Sequence, residues 1–262
     1  MMSEKNGLHS PLRFPYVLFD LGGTLIYFDG DWPTVEAAGI RELTQSLQSQ
    51  GYALDGQTFP YAYFALIQQY YQKGEDTLVQ YPSEWVLRQA VAQALPAHSP
   101  QPPAGHLRQA LKRMYAVSQK YWHVEPDAAA ALQALREMGC RLGIISNAPD
   151  DDDVQTLVDN ARLRAFFDFV LTSAKAKIRK PDSRIFIEAL ALLGARPDQA
   201  VMIGDTIAAD VAGAKRVGIA SVWIPRRKDT PENRAAAVEH CPDATINALS
   251  EVPALLRNWP SG

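Results

Sequence analysis

The sequence predicts an α/β fold, a Rossmann-like and mostly parallel sheet with helices on both faces, together with an all-α cap domain. A short apolar run of β-favouring residues, Tyr16–Phe19, is followed by an aspartate and a glycine pair. Residues 33–122 repeat their apolar positions at helical spacing, whereas the chain after Pro126 alternates between helical stretches and short apolar runs. Such alternation, with strands that are apolar almost throughout, is typical of a parallel sheet buried on both faces.

The core elements follow from this alternation. Apolar runs predict four strands after the first, at residues 141–146, 169–172, 200–204 and 220–224. Helical periodicity predicts a helix that ends near Met138, and further helices near residues 154–161, 183–193, 207–217 and 249–256.

The middle of the chain predicts the helical cap. Ile40, Leu43 and Leu47 share one helix face, as the spacing of a core-facing helix requires. Residues 96–105 are rich in proline and glycine, so they are expected to form a loop between two cap helices. Trp32 is the better candidate for a pocket residue. The other cap aromatics are expected to form a helical core: Phe59, Tyr61, Tyr63, Phe64, Tyr70, Tyr71 and Trp85.

A small flap is expected beside Asp20. Leu25–Phe28 has the pattern of a second strand, and the dipeptide Asp29-Gly30 after it fits a two-residue hairpin turn. The expected organisation is a polar N-terminal tail, a Rossmann-like core made of two separate stretches, and a helical cap. These are residues 1–14, residues 15–28 with 125–262, and residues 29–124.

Composition excludes several classes of protein. Of the 262 residues, 47% are hydrophobic and 21% are charged, which is ordinary for a globular protein. A net charge of -3 gives no strong field for a nucleic-acid backbone, so nucleic acid is excluded as a partner. No apolar run resembles a secretory signal or a membrane span, so we expect a cytoplasmic protein without a membrane partner. Cys140 and Cys241 form no CxxC pair, which argues against disulfides and zinc.

Polar residues follow four of the predicted strands. Asp20, the pair Ser146-Asn147 and Asp205 come directly after strands, and Lys180 lies in the loop after another. Functional groups of open α/β sheets gather at the carboxyl ends of the strands. Each residue alone fits a turn, a cap or a solvated surface charge. Together, two carboxylates, a hydroxyl and an ammonium are what phosphoryl transfer with a divalent cation needs.

Four ordered motifs resemble those of the haloacid dehalogenase (HAD) superfamily, subfamily I, which carries a C1-type helical cap. They are Phe19-Asp-Leu-Gly-Gly-Thr-Leu25, Ile144-Ile-Ser-Asn147, Ile178-Arg-Lys-Pro-Asp-Ser-Arg-Ile-Phe186 and Ile203-Gly-Asp-Thr-Ile-Ala-Ala-Asp210. The resemblance covers essentially the whole chain from residue 15. It implies a Mg²⁺-dependent hydrolase that acts on a small phosphorylated metabolite, and it does not fix the oligomeric state.

The same resemblance implies the role of each catalytic residue. Asp20 would attack phosphorus and form an aspartyl-phosphate. Ser146 and Lys180 would bind the phosphoryl oxygens, and Lys180 would also orient Asp20. Thr24 would form a hydrogen bond near the nucleophile, and Asn147 would help to hold its loop.

A magnesium site is implied at the same place. Asp205 would ligate Mg²⁺ together with the Asp20 carboxylate and the backbone carbonyl of Gly22. Asp210 would support the water molecules on the metal from the next helical turn.

The sequence departs from the family pattern at Gly22, where phosphatases of the family usually carry a second aspartate as acid and base. Phosphatase activity is therefore expected to be weak or specialised. Three alternatives stay open: a 2-haloacid dehalogenase, a phosphonate-cleaving hydrolase and a catalytically impaired ligand-binding protein. A phosphonate-cleaving enzyme needs a cap lysine, and the cap contains Lys73, Lys112 and Lys120.

Four successive aspartates, residues 150–153, follow the second motif. Carboxylates are favoured at helix N-termini, so the run predicts an N-cap and first helical turn. An electrostatic filter near the site is the alternative.

Overall fold

The computed structural model describes residues 12–259. Six parallel strands form the main sheet in the order β5-β4-β1-β6-β7-β8, and β2 pairs antiparallel with β3 in a small second sheet. The strands are β1 (Tyr16–Phe19), β2 (Ile26–Phe28), β3 (Trp122–Val124), β4 (Arg141–Ser146), β5 (Phe169–Thr172), β6 (Ala200–Gly204), β7 (Ala220–Trp223) and β8 (Ala244–Thr245).

Eleven α-helices lie within the described residues. They are α1 (Trp32–Ser49), α2 (Thr58–Thr77), α3 (Ser83–Ala94), α4 (Ala104–Ser118), α5 (Ala128–Glu137), α6 (Asp151–Asn160), α7 (Ser173–Ala176), α8 (Ser183–Leu193), α9 (Ala212–Arg216), α10 (Pro231–His240) and α11 (Val252–Arg257). Between residues 12 and 259, none of these helices combines the length and the hydropathy that crossing a membrane requires.

Helices cover both faces of the main sheet. Side chains of a strand alternate between its faces, and in β1 Val17 and Phe19 join a buried cluster with α5, α6 and α11. Leu18, which points the other way, joins the cluster formed with α8 and α9. The predicted Rossmann-like fold is confirmed.

Helices α1–α4 form the all-α cap, and they bury a hydrophobic cluster of their own. Leu43, Leu87 and Leu107 lie at its centre and have no exposed surface. The predicted proline-rich loop does separate α3 from α4. The prediction for the cap aromatics is right in part, since Phe59 and Tyr63 are buried whereas others, such as Tyr61, are exposed.

The flap differs from the expected hairpin. Strand β2 precedes the cap helices in the sequence and pairs with β3, which follows them. Ile26 lies opposite Val124 and Phe28 opposite Trp122. Asp29-Gly30 makes no hairpin turn, because the chain enters α1 there, where the Asp31 side chain accepts a hydrogen bond from the Thr34 amide at 3.2 Å. The prediction of a helical pattern up to residue 122 therefore missed strand β3, which begins at that residue.

Other differences lie near the two ends of the chain. Helix α10 and strand β8 were not predicted, and the single helix expected at residues 207–217 is a π-helical turn, Ile207–Val211, followed by α9. Helix α10 buries only the polar Asn233, so it carries no apolar periodicity to detect. Phe14, assigned to the tail, is buried against Trp259 at 4.8 Å between ring centroids. Residues 1–11 of the tail lie outside the described residues.

The cap also contacts the core through the segment between α2 and α3, residues 78–82, which we term the strap. Val79 forms a β-bridge with Ile178, and the Gln80 amide donates to the Lys177 carbonyl at 3.1 Å. The buried Gln80 side chain accepts a hydrogen bond from Ser173 Oγ at 2.8 Å. The strap is therefore joined to the loop that leads into Lys180.

Candidate active site

The residues predicted from the strand ends meet at one edge of the main sheet. Asp20 follows β1, Ser146 ends β4 and Asp205 follows β6, and β1 lies between the other two strands. Neighbouring strands are about 4.8 Å apart, so consecutive strand ends hold their side chains close together. Asp20 is 8% exposed.

Lys180 contacts two carboxylates of the site, those of Asp20 and Asp210. Its Nζ lies 2.6 Å from Asp20 Oδ1 and 2.6 Å from Asp210 Oδ1. Burial alone disfavours the ammonium, but the charges of these two carboxylates outweigh it and raise the pKa of Lys180. The Asn147 side chain holds the backbone at residue 180, since Oδ1 accepts from the Lys180 amide at 2.8 Å and Nδ2 donates to its carbonyl at 2.9 Å.

Three carboxylates crowd this point. Oxygens of Asp20, Asp205 and Asp210 all lie within 4.8 Å of one another. Burial, and then the charges of Asp20 and Asp210, raise the pKa of Asp205 to about 7. Burial likewise raises the pKa of Asp210 to about 6, although Lys180 acts in the opposite direction. One lysine therefore leaves the cluster with an excess of negative charge, which a bound cation would balance.

Two glycines make room for the carboxylates. A Cβ on Gly23, whose φ is +83°, would lie 2.0 Å from Asp205 Oδ2. A Cβ on Gly204 would lie 2.3 Å from the Asp210 carboxylate. Both distances are far below a van der Waals contact, so a side chain at either position would displace a carboxylate of the site.

We therefore expect Gly23→Ala to impair cation binding. The alanine would have to hold a left-handed backbone conformation, which costs about 1 kcal/mol, and its methyl group would displace Asp205. Calorimetric titration with Mg²⁺ should show at least about a tenfold loss of affinity, which corresponds to about 1.4 kcal/mol. Gly51→Ala is the matched control, because Gly51 also has a left-handed φ, +92°, but a Cβ there would meet no atom of the described residues within 4 Å. Equal affinities in the two variants would contradict this expectation.

Gly22 lies beside an aromatic ring rather than an acid. Apart from its chain neighbours, the described residues place only atoms of the Trp122 indole within 4 Å of a Cβ at this position. Trp122 is in β3 and also packs against Phe28 with ring centroids 5.5 Å apart. Among residues 12–259, no hydrogen bond to the Gly22 carbonyl is formed, so this oxygen is available to a ligand.

Two hydroxyl groups in the site have no hydrogen-bond partner among the described residues. Ser146 is buried at the end of β4, and its Oγ makes no hydrogen bond there. Thr24 Oγ1 is buried without a partner, so the hydrogen bond expected near the nucleophile is not formed in this structure. A buried hydroxyl without a partner is unfavourable, so Thr24 Oγ1 lacks the partner that its burial calls for.

Several residues around Asp205 were not predicted. Asn233 Nδ2 and Trp223 Nε1 donate to its carbonyl at 2.8 and 3.0 Å. Thr206 Oγ1 donates to Asp205 Oδ1 at 2.8 Å and accepts from Lys228 Nζ at 2.8 Å. Only Thr206 could have been found from the sequence, since it directly follows a motif aspartate.

The run of aspartates begins helix α6, as its composition predicts. Asp150 is the N-cap and accepts from the Asp153 amide at 3.1 Å, and residues 151–153 form the first turn. Asp150 also binds Arg108 of the cap, whose Nη1 lies 2.8 Å from Oδ2. Trp32, the pocket candidate, is 47% exposed and makes an edge contact with Phe28.

The donor set fits a hard divalent cation. Mg²⁺ prefers oxygen ligands and is held by one or two carboxylates and water. Asp20, Asp205 and the free carbonyl of Gly22 supply such oxygens, and the excess negative charge favours a cation. A buried nucleophilic carboxylate beside a lysine and a free hydroxyl can support attack on a phosphoryl group.

Three of the known proteins that are similar to this chain span different shares of it. A ribulose-1,5-bisphosphate 5-phosphatase of Halopiger xanaduensis is 28% identical over 92% of this chain and 98% of its own length. A phosphoserine phosphatase of Thermus thermophilus is 37% identical over 48% of this chain and 49% of its own. An (S)-2-haloacid dehalogenase 4A of Burkholderia cepacia is 32% identical over 58% and 63%, respectively.

Solved structures share the fold. A 2-haloacid dehalogenase from Pseudomonas syringae pv. Tomato superposes with a TM-score of 0.66 at 23% identity, covering 94% of this chain and all of that one. A HAD phosphatase from Thermococcus onnurineus gives a TM-score of 0.61 at 24% identity over 92% and 97%. The sequence model of the haloacid dehalogenase-like hydrolases matches residues 14–218. The chain therefore belongs to the haloacid dehalogenase-like hydrolase family.

Proposed function

We propose that this hydrolase is a Mg²⁺-dependent phosphatase that cleaves a small phosphorylated metabolite through an aspartyl-phosphate. The observation that carries the proposal is the contact of Lys180 with both Asp20 and Asp210 beside Asp205. Two carboxylates besides the nucleophile suit a site that holds a cation. The phosphatases among the relatives support the same function.

Different residues take part in the attack on phosphorus and in the neutralisation of charge on the phosphoryl group. Lys180 fixes the Asp20 carboxylate, an oxygen of which attacks phosphorus while the bond to the leaving oxygen breaks and its electron pair departs with that oxygen. Lys180 and the Ser146 hydroxyl bind the phosphoryl oxygens. Water then attacks the phosphorus of the aspartyl-phosphate, which releases phosphate and restores Asp20.

Mg²⁺ would be held by Asp20, Asp205 and the Gly22 carbonyl, with Asp210 supporting its water molecules, and would neutralise charge on the phosphoryl group. Thr24 contributes a free buried hydroxyl beside the same loop. Asn147 positions Lys180 through its two backbone hydrogen bonds. The domain bounds predicted above place all these groups in the core and leave the cap to exclude water.

The leaving group receives no proton from residue 22. The Trp122 indole occupies the neighbouring space and has no acidic group to offer. Substrates with stable leaving groups, such as acyl and aryl phosphates, are therefore favoured over simple alkyl esters.

We expect hydrolysis of acetyl phosphate or p-nitrophenyl phosphate that depends on Mg²⁺. Phosphate release should fall to background in excess chelator and return when Mg²⁺ is added, because the carboxylate cluster repels the anionic substrate when no cation is bound. Release of phosphate at an unchanged rate in chelator would contradict the proposal.

A 2-haloacid dehalogenase is the second candidate, because displacement of halide from carbon uses the same nucleophile and needs no acid at residue 22. One of the relatives carries that name. Asp205 and Asp210 have no part in such a displacement. We therefore expect no halide release from 2-chloropropionate in chelator. Release that disappears in Asp20→Asn would make dehalogenation the better assignment.

A phosphonate-cleaving hydrolase and a ligand-binding protein without turnover receive less support. A phosphonate-cleaving enzyme needs a cap lysine in its site, but Lys73 lies over the rings of Tyr70 and Tyr81, and Lys112 and Lys120 are exposed. A protein that only binds its ligand would have no use for the contact between Lys180 and the nucleophile.

A further inference from the structure

Helix α10 buries a single residue, and that residue is polar. Asn233 is 6% exposed, whereas the other residues of the helix are exposed or only partly buried. Two of them, Ala236 and Ala237, pack against a small cluster that contains Trp223. A helix that faces a core normally buries a stripe of large apolar side chains. Helix α10 has no such stripe, so it places Asn233 against the core with little apolar burial of its own.

The side-chain amide of Asn233 binds only backbone groups. Its Nδ2 donates to the carbonyls of Asp205 and Lys228, each at 2.8 Å. Its Oδ1 accepts from the Ile207 amide at 2.9 Å. Two acceptors require the amide nitrogen and one donor requires the oxygen, so only one orientation of the side chain satisfies all three contacts. Asn233 therefore joins the segment that follows β6 to the backbone at residue 228.

These contacts fix the backbone around Asp205. The Asp205 carbonyl also accepts from Trp223 Nε1 at 3.0 Å, so both of its lone pairs have a partner. Ile207 begins the π-helical turn, and the first amides of a helix have no partner within it. Asn233 supplies that partner to Ile207. The chain is thereby held at residues 205 and 207, on both sides of Thr206.

The carboxylate of Asp205 is held through Thr206. Thr206 Oγ1 donates to Asp205 Oδ1 at 2.8 Å and accepts from Lys228 Nζ at 2.8 Å. Asn233 binds the backbone of the same lysine. The hydroxyl that directs Asp205 Oδ1 therefore depends on two segments of chain, and Asn233 connects them.

We propose that Asn233 is a positioning residue for the cation site, which holds the Asp205 carboxylate in place for Mg²⁺. This inference rests on the cation site of the proposed function. Asn233 lies beyond residues 14–218, the part of the chain that matches the family model. Without its amide, the Ile207 amide and the Lys228 carbonyl would each lose a hydrogen bond, and Asp205 would no longer be fixed beside the other carboxylates.

The test measures the Mg²⁺ affinity of the full chain by calorimetric titration without substrate. Leucine is close to asparagine in shape but forms no hydrogen bond, so Asn233→Leu should lower the affinity by about 10- to 100-fold, as loss of a group that orients a metal ligand does. Asn233→Asp should lower it as well. This second variant keeps an acceptor for the Ile207 amide and nearly the same shape, so it decides the question if the leucine variant does not fold. Its added charge would by itself favour the cation, so a fall in affinity reports the two lost donors.

Thr230→Ala is the matched control. Thr230 is the N-cap of α10 and accepts from the Asn233 backbone amide at 3.2 Å, so its replacement weakens the same helix and leaves the Asn233 side chain in place. Thermal unfolding in excess chelator should show that Thr230→Ala and Asn233→Leu both lower stability. Only the Asn233 variants should lose Mg²⁺ affinity. The Mg²⁺ concentration that gives half the maximal rate with acetyl phosphate should rise by the same factor.

Unchanged Mg²⁺ affinity in a folded Asn233→Leu variant, or in Asn233→Asp if leucine prevents folding, would overturn the inference. An equal fall in Thr230→Ala would also overturn it, because the effect would then come from the helix as a whole. Both results leave the phosphatase proposal standing, since that is judged by Mg²⁺-dependent hydrolysis of acetyl phosphate by the unmodified protein. If the unmodified protein binds no Mg²⁺, this inference and the proposed metal dependence are wrong together.

Discussion

Replacing Asp20 by asparagine is expected to reduce Mg²⁺-dependent turnover of acetyl phosphate by about 10⁴-fold or more, as loss of a covalent nucleophile does in other enzymes. The amide has nearly the same shape as the carboxylate, but it cannot form the aspartyl-phosphate. Lys180 keeps its contact with Asp210 at 2.6 Å, so its charge stays paired in the variant. The protein should therefore remain folded, and its thermal unfolding should be measured beside its activity.

The matched control for this experiment is Asp76→Asn. Asp76 is an exposed cap residue that accepts a hydrogen bond from Gln72 Nε2 at Oδ1, at 3.0 Å. It should retain full activity. A folded Asp20→Asn variant that keeps more than a few per cent of the original rate would exclude the aspartyl-phosphate route. Trapping of phosphate on the original protein and not on this variant gives an independent check.

Replacing Gly22 by aspartate is expected to raise turnover of alkyl phosphates far more than turnover of aryl phosphates. General acid catalysis contributes about 10²- to 10⁴-fold, or roughly 3 to 5 kcal/mol of barrier. A phenolate leaves with little protonation, whereas an alkoxide needs a proton as its bond to phosphorus breaks. Faster attack by water on the aspartyl-phosphate would help both substrates equally. The ratio of the two gains therefore isolates the acid.

The structure allows this substitution. Gly22 does not have a left-handed φ, and its Cβ would meet the Trp122 ring at 3.4 Å, an ordinary contact. The carboxylate must still extend past the indole, so a double variant with Trp122→Ala should be measured as well. Gly22→Asn has a similar size but no acid. If the Asp and Asn variants show the same alkyl-to-aryl ratio in both backgrounds, the explanation by a missing acid is wrong.

The parts of the fold that the sequence predicts well are those whose burial leaves a local pattern. Strands β4, β5 and β6 have the predicted bounds, because each is an apolar run buried on both faces. The pairing of β2 with β3 joins residues almost a hundred positions apart, and no local pattern encodes it. Helix α10 was missed because its single buried residue is Asn233.

The residues of the candidate site were likewise predictable from the sequence only in part. Asp20, Ser146 and Asp205 could be predicted because polar residues directly after apolar strands must meet at one sheet edge. The position of Trp122 against Gly22 could not, since it depends on how the cap returns to the core.

The strap attaches the cap to the core, in addition to the two strands of the flap and the contact of Arg108 with Asp150. Its β-bridge from Val79 reaches Ile178, two residues before Lys180, and the Arg179 amide donates to the Leu78 carbonyl at 3.0 Å. Arg179 is also paired with Glu75 of the cap. An outward swing of the cap must either break these contacts or carry the lysine loop with it. In the second case the Lys180 ammonium moves away from Asp20 whenever the cap opens. The open cap then admits substrate, and the closed cap holds Lys180 against Asp20.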